Sequence, residues 1–493
     1  MQPWLAGRVA AGTAYLALMN GVQLACSLFF YLALARILPR SQVGEVSLLF
    51  LIINAFGALT TVALNSAATR FISHHLGEGD AGRAAAAYRA SWRLLTLISL
   101  PSFAASALLA RLLSLGTSSL LALGAGLVLN YTGLMGGALF GLTLYRGVAL
   151  QNIIFYVASR GGGALLAWGL GTLGVALGLL LGALASLLYS LLALRGRLGG
   201  AEGEVSPRAL LSYGLPLYGT NLISLGQGWL DLLVLYGISA DLSALGVYYI
   251  VVASAGTLSI LWAPLSSALF PAMSFSHAGG GARAVGGMLG LSGKLALLVV
   301  MPFSFALAAG SGTALRVAFG EAYAQGALAF SIVALAALPM ALSSLFATSL
   351  QSSGETRPIF VAGLASLAVD LAALVLLVPP LSGLGAALAR ALMALTSFAI
   401  LYRRARASFG FTLRVPLALL RGALLPALAI ALVELLVPAP LALKAPLEAL
   451  AFFGLAPLAL RGGALLDARE GALLQEALPG RLKCFARLLA RGA

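Results

Sequence analysis

The sequence predicts an all-α polytopic membrane protein. It should have about fourteen transmembrane helices, in two six-helix lobes related by a pseudo-two-fold axis along the membrane normal, with two further C-terminal spans. Three observations predict this. Hydrophobic residues make up 61% of the 493 and charged residues 9%, where a soluble chain has about 45–50% and about 25%. Apolar runs of about twenty residues, the length a helix needs to cross the hydrocarbon core, recur along the whole chain. Residues 31–49, YLALARILPRSQVGEVSLL, also have a counterpart at 233–251, LVLYGISADLSALGVYYIV.

Read with a span-length window, the runs fall near 12–35, 44–68, 94–114, 118–142, 148–170, 172–194 and 212–238. They continue near 245–270, 289–310, 326–350, 359–379, 383–402, 416–437 and 440–460. The last is interrupted by Lys444 and Glu448. The N-terminus shows a full-length run with no cleavage pattern, so it reads as a retained first span.

Thirty basic against fifteen acidic residues give a net charge of +15. In a soluble protein that excess would suggest nucleic acid. Here the charges sit in short connections between apolar runs, which points to membrane topology and anionic lipid instead. With the N-terminus inside, one set of connections holds Arg70, Arg83, Arg89, Arg93, Arg146, Arg195, Arg197, Arg208, Arg283, Lys294, Arg357, Arg403, Arg404, Arg406 and Arg414. The other set keeps Arg36, Arg40, Arg111, Arg316 and Lys444. The positive-inside rule therefore places both termini in the cytoplasm, in a cell-membrane protein with an even number of spans.

The two stretches at 31–49 and 233–251 share an apolar span end, a short polar link, and a hydrophobic residue plus glycine (Val43-Gly44, Leu245-Gly246) opening the next span. Six spans separate them, and an even number preserves orientation, hence parallel halves with a cavity between them. The expected division is an N-terminal lobe at 1–197, a Gly-rich charged linker at 198–208 (within RGRLGGAEGEVSPR) and a C-terminal lobe at 209–407. Two extra spans follow at 408–461, then a basic amphipathic tail at 462–493. In the tail, RLKCFARLLARGA puts Lys483, Arg487 and Arg491 on one helical face, the pattern of an interfacial helix.

These residues carry a family resemblance. LARILPRSQVGEVSLL is similar to the ARxLGxxxxG stretch that opens polysaccharide exporters of the multidrug/oligosaccharidyl-lipid/polysaccharide superfamily, with Pro39 where glycine is usual. The stretch at 214–250 resembles the start of their second half, and FGEAYAQGA (319–327) and the region 350–392 resemble later landmarks. The resemblance runs from about residue 5 to about residue 405. It implies a flippase for a polyprenyl phosphate- or pyrophosphate-linked oligosaccharide, working by alternating access and coupled to a cation. Related lipid II flippases are thought to couple through the second lobe.

Such a substrate needs cationic and polar groups in a cavity. Arg36, Arg70, Arg160 and Arg390 lie at span ends or within spans, and a guanidinium matches phosphate with a planar fork of donors. Arg36 and Arg70 could equally snorkel to headgroups. Asn20, Gln23, Asn54, Asn65, Asn221 and Gln227 add amides to the first, second and seventh spans, for glycan contact or for helix–helix hydrogen bonds. Asp231 and Asp370, with Ser366 one turn before Asp370, are the candidate Na⁺ or H⁺ site, since hard cations take oxygen ligands. The competing reading pairs one aspartate with Arg390. Glu434 receives no role, pairing with Arg421 being too distant in sequence.

Cys26 and Cys484 form neither a disulfide framework nor a metal-ligand spacing. A phosphate-binding Gly-rich loop is absent, and His74 and His75 sit in an expected cytoplasmic loop, so an ATPase or metalloenzyme is not indicated. No cofactor is expected beyond the coupling ion. The expected partners are the lipid-linked substrate, membrane lipids and glycan-assembly proteins, with the chain acting as a monomer. The rival reading is a cation-coupled multidrug efflux exporter of the same superfamily, which would be expected to carry a carboxylate in the first span; none is present.

Overall fold

The computed structural model describes residues 3–198, 203–413, 415–438 and 440–460; the amphipathic tail expected at 462–493 lies outside them. Every regular element among the described residues is helical. Thirteen segments are long and apolar enough to cross a membrane. Around them, large apolar side chains face outward, with Trp168 82% and Leu435 80% exposed. That is the surface a lipid solvent requires and water penalises.

Contacts divide the chain into two compact units, one formed by 1–233 with 241–246 and the other by 234–240 and the residues from 247 onward. The first unit contains α1 (Pro3–Ile37), α2 (Arg40–Thr60), α3 (Leu64–Gly77), α4 (Ala81–Leu112), α5 (Thr117–Gly141) and α6 (Tyr145–Tyr156). A π-helical turn (Val157–Gly162), α7 (Gly163–Leu194) and most of α8 (Pro207–Ser239) complete it. Its core gathers Leu64, Ile72, Leu95, Leu134, Met135 and Leu139. Close packing of α3 on α5 depends on bare backbone: a Cβ on Gly137 would meet the Asn65 carbonyl, and Thr69 Oγ1 donates to the Gly137 carbonyl at 2.8 Å. Small residues and hydroxyls are what hold helices together where lipid removes the hydrophobic drive.

The expected second span, 44–68, is not one helix. It breaks after Thr60 and resumes as α3, through Val62 and Ala63 at φ 45° and 53°. Neither residue is a type that signals left-handed backbone, so composition gave no warning. His74 and His75 consequently stand in the last turn of α3 rather than in a loop.

The segment Tyr145–Leu194 is 50 residues long, about twice what a crossing needs. Gly171 breaks it with φ 58° and ψ −135°, giving the two spans expected at 148–170 and 172–194. The arms fold back so tightly that a Cβ on Gly174 would strike the Leu166 carbonyl and one on Gly182 would strike Ser159.

The second unit holds most of α9 (Leu242–Gly256), a 3₁₀ turn (Thr257–Leu261), α10 (Ala263–Ala309) and α11 (Ser311–Phe319). A second 3₁₀ turn (Glu321–Gly326), α12 (Ala327–Ser352), α13 (Arg357–Leu381), α14 (Gly383–Phe409), α15 (Leu417–Leu436) and α16 (Leu441–Leu460) follow. Gly281, at φ 64°, breaks the 47-residue α10. The core includes Leu289, Leu345, Phe346, Leu401, Phe409 and Phe411. The α13–α14 hairpin turns at Ser382 with φ 48° and ψ −127°, and a Cβ on Gly385 would strike the Leu377 carbonyl. This matches the Gly171–Gly174 hairpin in dihedrals and spacing, and LSGLGAAL (381–388) parallels LGTLGVAL (170–177).

Candidate functional site

Polar side chains placed within apolar helices of the first unit converge on two adjoining cavities. The larger, about 480 Å³, is lined by Asn54 of α2, Asn65 of α3, Asn130 of α5 and Asn221 of α8, together with Thr61, Ser224 and Trp229. Tyr218 positions α8 there, its hydroxyl donating to the Leu59 carbonyl at 3.2 Å. The smaller, about 370 Å³, is lined by Asn65, Thr69, Thr132, Gln151, Asn152, Tyr156 and Ser186 among others. Asn65, Leu129 and Gly133 border both. No charged residue is among the lining residues of either.

Several of these amides are fixed by their own bonds. Asn54 Nδ2 donates to the Phe50 carbonyl at 2.8 Å, and Asn65 Oδ1 accepts from the Ser66 amide at 2.9 Å. Asn130, buried, donates to Thr60 Oγ1 at 2.6 Å and to Ser99 Oγ at 3.3 Å, joining α5 to α2 and α4. Gln151 Nε2 donates to the Thr132 carbonyl at 2.6 Å, while its Oε1 is buried without a hydrogen-bond partner. Asn130 and Gln151 were absent from the sequence-based candidates. Each is an amide inside an apolar run (GLVLNYTGL, ALQNIIFY), the same signal that identified Asn54.

Of the candidates, Asn54, Asn65 and Asn221 come together, whereas Asn20, Gln23 and Gln227 line neither cavity. The four arginines are placed elsewhere. Arg36 ends α1, exposed. Arg70 lies over the Tyr213 ring, 4.4 Å from its centroid, and 5.9 Å from that of Phe71. Arg160, in the π-helical turn, lies 4.8 Å from the Phe30 centroid and 4.2 Å from that of Phe50. Its Nε and Nη1 are buried without hydrogen-bond partners. Ring quadrupoles partly compensate a desolvated cation, and π-helical turns concentrate at functional sites. Arg390 is buried on α14 in the second unit.

The carboxylates divide between the units. Asp231, 2% exposed, belongs to the first, and its Oδ1 accepts from the Leu232 amide at 2.9 Å. Ser366 and Asp370 are both buried on α13 in the second. Ser366 Oγ donates to the Gly363 carbonyl at 3.0 Å. Lying one helical turn apart, Ser366 and Asp370 offer oxygens to the same side, the donor chemistry of a hard cation. At the end of α3, His74, His75 and Glu78 have ligand atoms within 4.8 Å of one another. The hydrogen bond from His75, with the nearby His74, holds the Glu78 carboxyl below its ordinary range.

A family model described as "Polysaccharide biosynthesis protein" matches residues 9–277, more than half of the chain. No curated protein matches the chain in sequence. Among solved structures, the fold is similar to the lipid II flippase MurJ in its inward closed conformation, at TM-score 0.69 and 12% identity, covering 90% of this chain and 98% of that one. It is also similar to an inward-facing multidrug resistance MATE family transporter of the MOP superfamily, at TM-score 0.59 and 15% identity, covering 79% and 94%. An outward-facing MATE transporter gives TM-score 0.55 at 14% identity, covering 81% and 96%. The chain therefore belongs to the polysaccharide biosynthesis protein family and carries the fold of the multidrug/oligosaccharidyl-lipid/polysaccharide (MOP) superfamily of membrane transporters.

Proposed function

We propose that this transporter is a flippase. It would carry a polyprenyl phosphate- or pyrophosphate-linked oligosaccharide across the cytoplasmic membrane by alternating access, with both termini in the cytoplasm. The observation that carries this reading is the 480 Å³ cavity lined by four asparagines and no charged residue. A glycan presents hydroxyls that both donate and accept, and a carboxamide answers both roles from one side chain. A site built for cationic drugs would be expected to offer a carboxylate, and neither cavity is lined by one. Family membership supports the same reading, as does the likeness to a lipid II flippase. The arginines, Arg160 foremost, are the groups proposed to meet the phosphate when the transporter changes state.

Coupling is assigned to Asp231 in the first unit and to Ser366 and Asp370 in the second, with Na⁺ or H⁺ as the ion. Carboxylates buried in an apolar span are costly to keep, and such groups mark ion pathways.

Reconstitution tests this. Purified protein in proteoliposomes should expose a labelled lipid-linked oligosaccharide to an impermeant glycan-modifying reagent faster than empty vesicles do. Asp231→Asn and Asp370→Asn should preserve substrate binding and flatten the dependence on Na⁺ or pH. Proteoliposomes that accumulate a cationic drug but leave the glycolipid in place would establish the multidrug exporter instead.

A further inference from the structure

The two C-terminal spans carry ionisable groups that the reading above does not use. Glu434 near the end of α15, Lys444 and Glu448 in α16, and Thr313 and Arg316 in α11 meet inside the second unit. Thr313 Oγ1 lies 2.6 Å from Glu434 Oε2 and 2.8 Å from Glu448 Oε1. Lys444 Nζ donates to the Glu434 backbone carbonyl at 2.7 Å and lies 3.5 Å from Glu434 Oε2. Arg316 Nη1 is 3.8 Å from Glu434 Oε1, and its Nε bonds Glu321 at 3.2 Å.

A threonine hydroxyl has one proton to donate and lone pairs to accept with. Thr313 can therefore bond two carboxyls only if it donates to one and the other donates to it. The donor must then be a carboxylic acid. Glu434 is the ionised partner, because Lys444 and Arg316 both face it. Glu448, 8% exposed, has no cation of its own within ion-pairing distance among the described residues and is the protonated one.

Among the described residues, the elements packed around the pair leave no other counter-charge. The 3₁₀ turn contributes Glu321, already on Arg316; α12 carries no ionisable side chain, α10 carries none after Lys294, and Arg421 lies thirteen residues before Glu434 on α15. The backbone is shaped to seat the pair: a Cβ on Gly310 would lie 2.7 Å from Glu448 Oε2, and one on Gly312 2.5 Å from Glu434 Oε1.

We propose that Glu448, Thr313 and Glu434 form a proton-binding site that holds one proton between α11, α15 and α16, separate from the Asp231/Asp370 coupling groups. Release runs from buried Glu448 through the Thr313 hydroxyl to Glu434, whose side chain is 21% exposed, and from there to water. Loss of the proton leaves two adjacent carboxylates, whose repulsion loosens α16 from α11.

Difference infrared spectroscopy of the purified full chain tests this through the carbonyl stretch of protonated carboxylic acids, followed as pH is raised through the neutral range. Wild type should show a band that is lost with rising pH. Glu448→Gln, which copies the shape of the protonated acid, should fold normally and remove one acid equivalent of that band. Asp231→Asn and Asp370→Asn should leave the equivalent assigned to Glu448 in place. The absence of any pH-dependent carboxylic acid band in wild type overturns the proposal without recourse to a variant. So does a Glu448→Gln protein whose band is unchanged.

Discussion

Gly44 and Gly246 each rest against a carbonyl of the other's helix: a methyl group on Gly44 would fall on the Leu242 carbonyl, and one on Gly246 on the Arg40 carbonyl. The same offset of 202 residues separates Gly44 from Gly246 and Arg40 from Leu242. The contact is thus reciprocal: within the first unit, the start of α2 and residues 241–246 press backbone on backbone at equivalent positions of the two similar stretches. Backbone cannot rotate aside as a side chain can. Gly44→Ala should cost at least ~1–3 kcal/mol of stability through overpacking. Gly21→Ala on α1, where nothing lies within 4 Å, should be neutral or slightly stabilising in the same thermal melt.

Ser382 adopts at the α13–α14 turn the backbone that Gly171 adopts at the matching turn. For a residue with a Cβ that conformation is strained by ~1–3 kcal/mol. Replacing Ser382 with glycine should raise the melting temperature, the gain falling short of the full strain because glycine also loses more chain entropy on folding. Gly171→Ser should lower it. Melting curves moving in the opposite directions would show that the two turns are not equivalent.

Arg160 keeps two buried guanidinium nitrogens without acceptors while lying over Phe30 and Phe50. An unsatisfied buried charge burdens the fold, so its retention points to use in transport. Arg160→Met preserves the apolar stem; it should leave stability unchanged or higher and sharply reduce flipping. Arg160→Lys should restore flipping only in part, since ammonium keeps charge but not the planar fork. A destabilised Arg160→Met protein with normal flipping would make this arginine a structural clamp.

Asn54 and Asn221 reach the larger cavity from α2 and α8. Alanine at either position should weaken glycolipid binding by roughly 2- to 10-fold, the equivalent of one neutral hydrogen bond of ~0.5–1.5 kcal/mol. Asn130→Ala should also unfold the protein more easily, because Asn130 bonds Thr60 and Ser99 as well as facing the cavity. Binding isotherms and melts on the three variants separate the two roles.

Topology is open to direct labelling. In a background with Cys26 and Cys484 replaced by serine, cysteines at Ser41 and Ser243 should react with an impermeant thiol reagent added outside intact cells. One at Ser206 should not. The reverse pattern would invert the membrane orientation drawn from the arginine distribution.

Much of this architecture was legible because a crossing helix must be about twenty apolar residues long, and such runs announce themselves. Run length alone put a span boundary between 170 and 172, and the structure breaks the helix there at Gly171, a residue that tolerates such dihedrals. The break at Val62 and Ala63 was not legible, because two ordinary apolar residues there take left-handed backbone that only tertiary packing can impose. The site divides the same way. Asn54, Asn65 and Asn221 stand out as amides in greasy surroundings, and Asn130 and Gln151 carry the same signal in the fourth and fifth spans. Glu448 read only as a blemish in the last span. Its partner Thr313 lies 135 residues away, and no local pattern joins them.

Gly133 borders both cavities, and the space where its Cβ would point is open for 4 Å. The girth of the chamber is therefore set at that position by a missing side chain. Alanine there meets nothing within 4 Å, and valine and leucine installed in turn would narrow the chamber further. Such a series is a molecular caliper. The size at which cargo ceases to pass would measure the widest part of what the transporter carries.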